Sequence, residues 1–480
     1  MGQQKDKLVK EITSRDEDFA QWYTDVCKKA ELMDYTDAKG FIIYRPYGYA
    51  LWENIQKFLD IEFKKTGHEN VYMPLVIPES LFLKEAEHVK GFAPETAIVT
   101  IGGNEILPER LIIRPTSEVL FCDHYSKIVS SYRDLPKKYN QWCSVVRWEK
   151  TTRPFLRGSE FLWQEGHTIH ATEEEARAET LGILDIYKSL GSELLAIPFV
   201  TGKKTNKEKF AGAEETYTIE ALMHDGKALQ SGTTHFFGTG FAKAFNINFQ
   251  DKDSILKPVN QTSWGVSTRL IGAIIMVHGD DSGLVLPPRV APIQVIIIPI
   301  QSQKEGVLEA AKSIFDSLSE KGVRVKIDDS DKSPGWKFSE SEMKGIPIRI
   351  EVGPRDLAKG ECIIAKRYNG EKITIKLIDL SIQIPLLLQE IHEKMYQKAL
   401  DNVFLNTRPA YTYQEFKQIL ESKQGYIKMM WCGNQSCEDL IKEETSATAR
   451  CIPFHQEHLT DNCPVCGRKA EKLVYFAKAY

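Results

Sequence analysis

No apolar run in this chain approaches the roughly 18 residues that a membrane-spanning helix needs. The longest candidate, 290–300, is interrupted by Pro292, Gln294 and Pro299 and reads as a buried strand. No secretory segment is visible, and the opening Met1-Gly2-Gln3-Gln4-Lys5-Asp6 fails as a myristoylation signal because Asp6 stands where Ser or Thr is needed. No excess of basic charge announces nucleic acid: the net charge is −4 and the pI near 6.3, so any RNA contact must come from local basic clusters. A G-x-x-x-x-G-K-[ST] phosphate loop is missing, and Gly238-Thr239-Gly240 lacks the third glycine and helix context of a dinucleotide site. Internal repeats and low-complexity segments are missing too. The nine cysteines argue against a disulfide framework, since five of them crowd into the last 49 residues and point to a local metal site. The expectation is a soluble, cytoplasmic protein with no membrane partner.

What is present is enough chain for several cores. At 480 residues, with 42% hydrophobic and 27% charged residues, usual domain sizes suggest about two to four units. Leu8, Ile12, Phe19, Trp22 and Val26 fall at helical spacing, which predicts an amphipathic lead-in over 5–33. From about 41 to 289 short helical patterns mix with alternating strands such as 141–149 and 161–170, which predicts a large α+β unit around an antiparallel sheet. Pro287-Pro288-Arg289 then punctuates the chain, so a boundary is expected near 290. An apolar run (293–298), a helical stretch (304–321), a strand (323–327), another helical stretch and a strand (346–352) follow in α/β order. Hairpin strands around Asn369-Gly370 and a helix near 385–399 complete this unit, and the cysteine-rich tail forms a third. The expected units are 1–289, 290–402 and 403–480.

Several segments place polar residues two apart, which in a strand aims both at one face. Arg147-Trp148-Glu149 is the strongest, with Cys143 and Val145 in the same register. One such pair alone reads as an ordinary cross-strand salt bridge. Its neighbours shift the reading. A Thr-, Pro- and Arg-rich loop, 150–158, returns as a strand on which Trp163, Glu165 and His167 share one face, with Arg157 near the loop's end. Thr116 and Glu118, Thr233 and His235, and Ser267 and Arg269 repeat the spacing. Together they could line a polar pocket.

The hairpin from Arg147-Trp148-Glu149 to Arg157-Gly158-Ser159-Glu160-Phe161 resembles motif 2 of class II aminoacyl-tRNA synthetases, and Ser263 to Arg269 resembles motif 3. With Arg114-Pro115-Thr116-Ser117-Glu118, Phe161 to His167, Gln230 to His235, Val277 to Asp281 and Gly335 to Phe338, the chain is similar, end to end, to prolyl-tRNA synthetases of the archaeal and eukaryotic type. The resemblance implies a class II antiparallel catalytic domain, an α/β anticodon-binding domain and a small zinc-binding α+β domain. It implies activation of L-proline with ATP and Mg2+, then transfer to the 3′ end of tRNA(Pro). Arginine suits an ATP site without a phosphate loop, because its planar fork grips phosphate and stacks on adenine. The resemblance puts Arg147 on the α-phosphate, Arg157 on the bent triphosphate and Arg269 on the far side of ATP, with Glu149 beside them and Gln230 and Thr233 toward the adenosine. Proline joins a secondary ammonium to a small apolar ring, so its site calls for carboxylates and aromatic walls. Phe92, Thr116, Glu118, Arg147, Trp163, Glu165, Phe210, His235 and Ser267 are carried over to that role. No covalent intermediate is required, so Cys122 and Cys143 read as packing.

For the second unit the resemblance implies an anticodon-binding domain, and Glu342, Arg349, Arg355 and Asp356, clustered around 347–357, are residue types that can read guanine edges or contact phosphate. A solvated charged face explains them equally well. In the tail, Cys432-x4-Cys437 and Cys463-x2-Cys466 are separated by 25 residues, a tetrahedral zinc pattern that leaves no open position. Cys451, His455 and His458 lie between the pairs and could substitute, though the family pattern favours the outer four. The family's C-terminal tyrosine carboxylate can reach toward the active site, and Tyr480 is the last residue here. Motif 1, weakly marked around 48–78, implies a homodimer. The 166–261 segment, about 95 residues, leaves no room for an editing domain. Two rivals remain: another class II synthetase, separable by proline-dependent pyrophosphate exchange, and a catalytically silent relative, which would have no need of the ATP arginines.

Overall fold

The computed structural model describes residues 12–84, 96–422 and 424–480. Among these, an eleven-stranded sheet runs through the molecule. Its order is Thr407–Pro409, Tyr426–Trp431, Lys472–Ala477, Thr448–Pro453, Val200–Lys203, Glu215–Leu222, Ala228–Gly238, Asn260–Ser267, Glu160–His170, Lys137–Val146 and Glu69–Asn70. Only the two outermost pairs are parallel. The expected antiparallel sheet is therefore present, and the cysteine-rich tail widens it, because Ile452 and Pro453 pair with Lys203 and Gly202.

Alternation assigns the two faces. Gln164 accepts a 2.7 Å hydrogen bond from the Tyr187 hydroxyl of helix Glu173–Leu190, while Trp163, Glu165 and His167 line a cavity on the opposite side. Gly166 lies under the Trp264 indole, where a Cβ would approach to 2.2 Å, so this back face is packed to the backbone. Helices Pro46–Lys65, Glu173–Leu190 and Arg269–His278 cover it with a core that includes Trp52, Phe63 and Tyr187. Each such side chain, fully buried, contributes about 1.5–3 kcal/mol. Helix Glu173–Leu190 starts where it does because Thr172 caps the Glu175 N–H at 3.2 Å and Glu175 reaches back to the Thr172 N–H at 3.4 Å.

A second sheet of five strands has the order Val325–Ile327, Val295–Pro299, Ile348–Val352, Glu361–Lys366 and Lys372–Lys376, the first three parallel. Val295–Pro299 is buried throughout, as a continuous apolar run in a parallel sheet should be. Arg367 ties this layer to the first by a bidentate pair with Asp280 at 2.6 and 2.7 Å.

Three expected elements differ. Of the lead-in, Phe19–Lys29 is helical and 12–18 is not, with Asp18 capping Ala20 and Gln21; Leu8 lies outside the described residues. The helix near 385–399 extends over Leu380–Leu405, through the expected boundary at 402–403. Pro385 is tolerated because it lies one turn in and forfeits only the rung to the Ser381 carbonyl. The strand entering the motif 2 loop ends at Val146, so Arg147 and Glu149 are not held on one face by strand geometry.

Candidate active site

The cavity on the open face of the large sheet has a volume of about 280 Å³. Its floor is made of strands Glu160–His170, Ala228–Gly238 and Asn260–Ser267. The structure gathers Thr116, Glu118, Arg147, Trp163, Glu165, Phe210, Gln230, Thr233, His235, Ser267 and Arg269 on its wall. Glu149 and Arg157 stand off that wall and pair with each other at 3.0 Å. Phe92 falls outside the described residues.

One end of the cavity is acidic. Glu165 is buried, and its carboxylate accepts from the Thr116 hydroxyl (3.0 Å), the Ser117 N–H (3.0 Å) and hydroxyl (2.5 Å), and the Gln141 amide (2.8 Å). His167 Nε2 is 3.0 Å away. Burial alone would push Glu165 up, but the His167 bond and charge and the Ser117 donors hold it at about 2. His167 feels burial in the opposite sense, yet Glu118 and then Glu165 raise it to about 9, so the imidazole is a cation between two carboxylates, stacked on Phe121 at 4.2 Å. Its Nδ1 is 3.0 Å from Glu118 Oε2 without the alignment of a hydrogen bond, and Glu118 Oε1 is buried with no hydrogen-bond partner among the described residues. A buried acceptor of this kind is costly until a cationic N–H meets it.

The other end is cationic. Arg147 stacks near Phe161 and Trp163, at 5.4 and 5.2 Å, and donates to the Pro115 carbonyl at 3.1 Å. Arg269 opens helix Arg269–His278 and donates to the carbonyls of Leu156 and Gln230, both at 3.1 Å. Burial first, and then the like charges of Arg147 and Arg157, lower it to about 10. Two guanidiniums held at one end of the cavity create a field that favours an anion. Between the ends, His235 is held by Thr216 at 2.9 Å and Thr233 at 3.0 Å, and burial followed by the His167 charge lowers it to about 3, leaving it neutral. Phe210 lies over it at 4.7 Å.

Sequence reasoning assigned no role to His167, Ser117, Gln141 or Glu208. His167 carried a signal, being in register with Glu165, and Ser117 stood inside the Arg114–Glu118 segment; Gln141 and Glu208 reach the site from separate elements and had none. Cys122 is buried, while Cys143 also places its thiol 3.6 Å from Glu165, where burial pushes it up and keeps it unreactive.

Elsewhere, Arg349 and Glu342 (3.2 Å apart) line a cavity of about 410 Å³ with Lys366, Arg367 and Lys372. Arg355 and Asp356 are not on it; Asp356 caps the Gly353 N–H at 3.1 Å. The sulfurs of Cys432, Cys437, Cys463 and Cys466 lie within 4.8 Å of one another and could hold a metal ion, with Arg468 lowering the Cys466 thiol to about 6. Cys451 is buried elsewhere, between strands, and is not in the cluster. Tyr480 packs its hydroxyl on Asp225 at 2.5 Å, away from the cavity wall.

Three family profiles match successive parts of the chain. They describe a class II tRNA synthetase core domain (G, H, P, S and T) at 104–278, an anticodon binding domain at 294–384 and a prolyl-tRNA synthetase C-terminal domain at 413–480. Among similar curated proteins, the proline–tRNA ligase of Clostridium novyi (strain NT) is 61% identical over 99% of both chains. That of Ruminiclostridium cellulolyticum is 62% identical over 99% of both chains. Proline–tRNA ligase 2 of Bacillus cereus is 61% identical over 98% of this chain and 99% of its own.

Proposed function

We propose the following roles on the premise that this chain belongs to the prolyl-tRNA synthetases of class II and charges tRNA with proline in translation. One observation carries the assignment: a cavity with two guanidiniums at one end and, at the other, a buried carboxylate oxygen that has no hydrogen-bond partner among the described residues. The proline ammonium donates to Glu118 and Thr116. Glu165 and His167 hold that end rigid, and the pyrrolidine ring lies against Trp163, Phe210 and His235, with Ser267 nearby. The carboxylate then points toward Arg147. Its oxygen attacks the α-phosphorus of ATP, the bond to the β,γ-diphosphate breaks, and Arg147 steadies the charge that develops. Arg269 holds the far side of the nucleotide, Gln230 and Thr233 face the adenosine, and the Arg157–Glu149 pair stands ready at the triphosphate. Mg2+ bound with ATP supplies charge neutralisation. In the second step a 3′-terminal tRNA hydroxyl attacks the activated carbonyl and AMP leaves.

Around this centre, the proposed units are 1–289 for catalysis, 290–402 for the anticodon and 403–480 for the tail. Glu342 and Arg349 contact the anticodon from the cavity, and Arg355 and Asp356 contact it from the short helix Pro354–Leu357 that follows the strand Ile348–Val352. The four cysteines take zinc: a tetrahedron with 2.3 Å bonds needs sulfurs about 3.8 Å apart, in keeping with the cluster's span of at most 4.8 Å. Within the family, the assignment to the archaeal and eukaryotic type rests on the motifs that carry the resemblance. The compact 166–261 segment supports the lack of cis editing. A cytoplasmic homodimer completes the proposal; no helix among the described residues is long and apolar enough to cross a membrane.

Arg147→Ala tests the centre. Proline-dependent pyrophosphate exchange should fall by about 10²-fold or more, since one lost donor to developing charge costs roughly 3 kcal/mol. A folded variant exchanging at near the wild-type rate removes Arg147 from the α-phosphate.

A further inference from the structure

The cavity wall that carries Phe210 is not built by the catalytic unit alone. Phe210 and Glu208 line the cavity from the 204–213 loop between strands Val200–Lys203 and Glu215–Leu222. The start of that loop is fastened by the tail. Thr205 gives its hydroxyl proton to Glu438 Oε1 at 2.8 Å, and both residues are buried. The same hydroxyl oxygen accepts the Glu208 N–H at 3.3 Å, and the Thr205 carbonyl accepts the N–H groups of Glu208 (3.1 Å) and Lys209 (2.9 Å). Thr205 therefore joins the tail to the backbone turn that presents Glu208 and Phe210.

Two further links act at the same place. Lys207 pairs with Asp439 at 2.6 Å. Lys204 Nζ lies 2.8 Å from Glu220 Oε1, while Glu220 Oε2 takes Arg450 Nη2 at 2.8 Å and Nε at 3.0 Å, with Lys204 and Glu220 almost wholly buried. Removing one member of a buried charged set strands the others, so such a set holds one arrangement instead of sliding. At its far end the loop is fixed by the Phe210 N–H, which donates to Thr216 Oγ1 at 3.0 Å. That hydroxyl also meets His235, so Thr216 fastens both the Phe210 backbone and the neutral imidazole that the Phe210 ring lies over.

We propose that Glu438 and Arg450, both outside the cavity, are positioning residues for the amino-acid pocket: by fixing the 204–213 loop from behind, they set Phe210 at the spacing that admits a proline-sized ring. This rests on the reading of the cavity as the proline site. The tail thus acts on substrate recognition through hydrogen bonds and ion pairs some 230 residues away in sequence.

The test is tRNA-independent, proline-dependent pyrophosphate exchange in the full-length, metal-loaded protein. Glu438→Ala and Arg450→Met are each expected to raise KM for proline about tenfold, with KM for ATP and kcat unchanged, the pattern of lost substrate positioning. Glu438→Gln keeps an acceptor for Thr205 and should stay near wild type. Thr205→Val removes a single hydroxyl and is readable even if Glu438→Ala does not fold; combined with Glu438→Ala it should add little. Phe210→Ala serves as the reference for the pocket itself. If Phe210→Ala raises KM for proline while folded Thr205→Val and Glu438→Ala do not, or if these two raise both KM values equally, the positioning role is overturned. If Phe210→Ala also leaves KM for proline unchanged, the proline-site reading fails, and the inference with it.

Discussion

His167 concentrates the residue-scale physics of the site. It is buried, cationic and placed 3.0 Å from each of two carboxylates. Its folded pKa, about 9, lies above the ordinary histidine value of 6.5. The stability it contributes is therefore complete below pH 6.5 and lost as pH rises through 9, amounting to roughly 3 kcal/mol. Glu165, held at about 2, acts in the other direction: its contribution is present above pH 4.5 and fades only as pH falls through 2. The expected outcome is that the Tm advantage of the wild type over His167→Gln shrinks between pH 6.5 and 9. An NMR titration of the wild-type ring should show one step near pH 9; a step near 6.5 contradicts the cationic assignment. The hydrogen-bond partners of Glu165 were legible in the sequence only in part. His167 shares a strand with it, whereas Ser117 and Gln141 arrive from a helix start and a neighbouring strand.

At the scale of elements, the strand Glu160–His170 was readable because period-two alternation survives in a half-buried antiparallel strand. The end of Lys137–Val146 was not, since Arg147 continues the alternation in type and still donates its N–H in register to the Ser159 carbonyl, and only at Glu149 does the N–H turn back, to the Arg147 carbonyl at 2.7 Å. Strand Ile348–Val352 carries a similar lesson. Arg349 is buried against Glu351 at 3.0 Å and Phe338 at 4.2 Å, facing a cavity that also holds Glu342. Arg349→Ala should lower aminoacylation of tRNA while leaving tRNA-independent exchange intact; equal loss of both rules out an anticodon role. In the tail, Cys463→Ser should abolish bound zinc and lower the Tm of the tail, because four thiolate ligands leave a structural site with no open position. Zinc content near zero in wild-type protein prepared without chelator refutes the metal.

At the scale of the whole molecule, one pocket must serve both affinity and accuracy. An apolar pocket discriminates by only about 1–3 kcal/mol per methylene, so some alanine or cysteine should be activated. The 166–261 segment is largely taken up by the strand, helix and cavity elements already described. Preformed alanyl-tRNA(Pro) should therefore not be deacylated above the spontaneous rate; hydrolysis that persists with the adenylation site blocked would reveal an editing centre. The class, the order of units and most side chains of the cavity could be read from the amino-acid order, because motif residues and strand alternation are local properties of the chain. It took the folded chain to establish that Glu149 pairs with Arg157 off the cavity wall, that His167 is a cation between Glu118 and Glu165, and that Glu438 and Arg450 of the tail grip the loop behind Phe210. These are distances between residues far apart in sequence, and burial, which no local pattern encodes, determines their charge states and their strength.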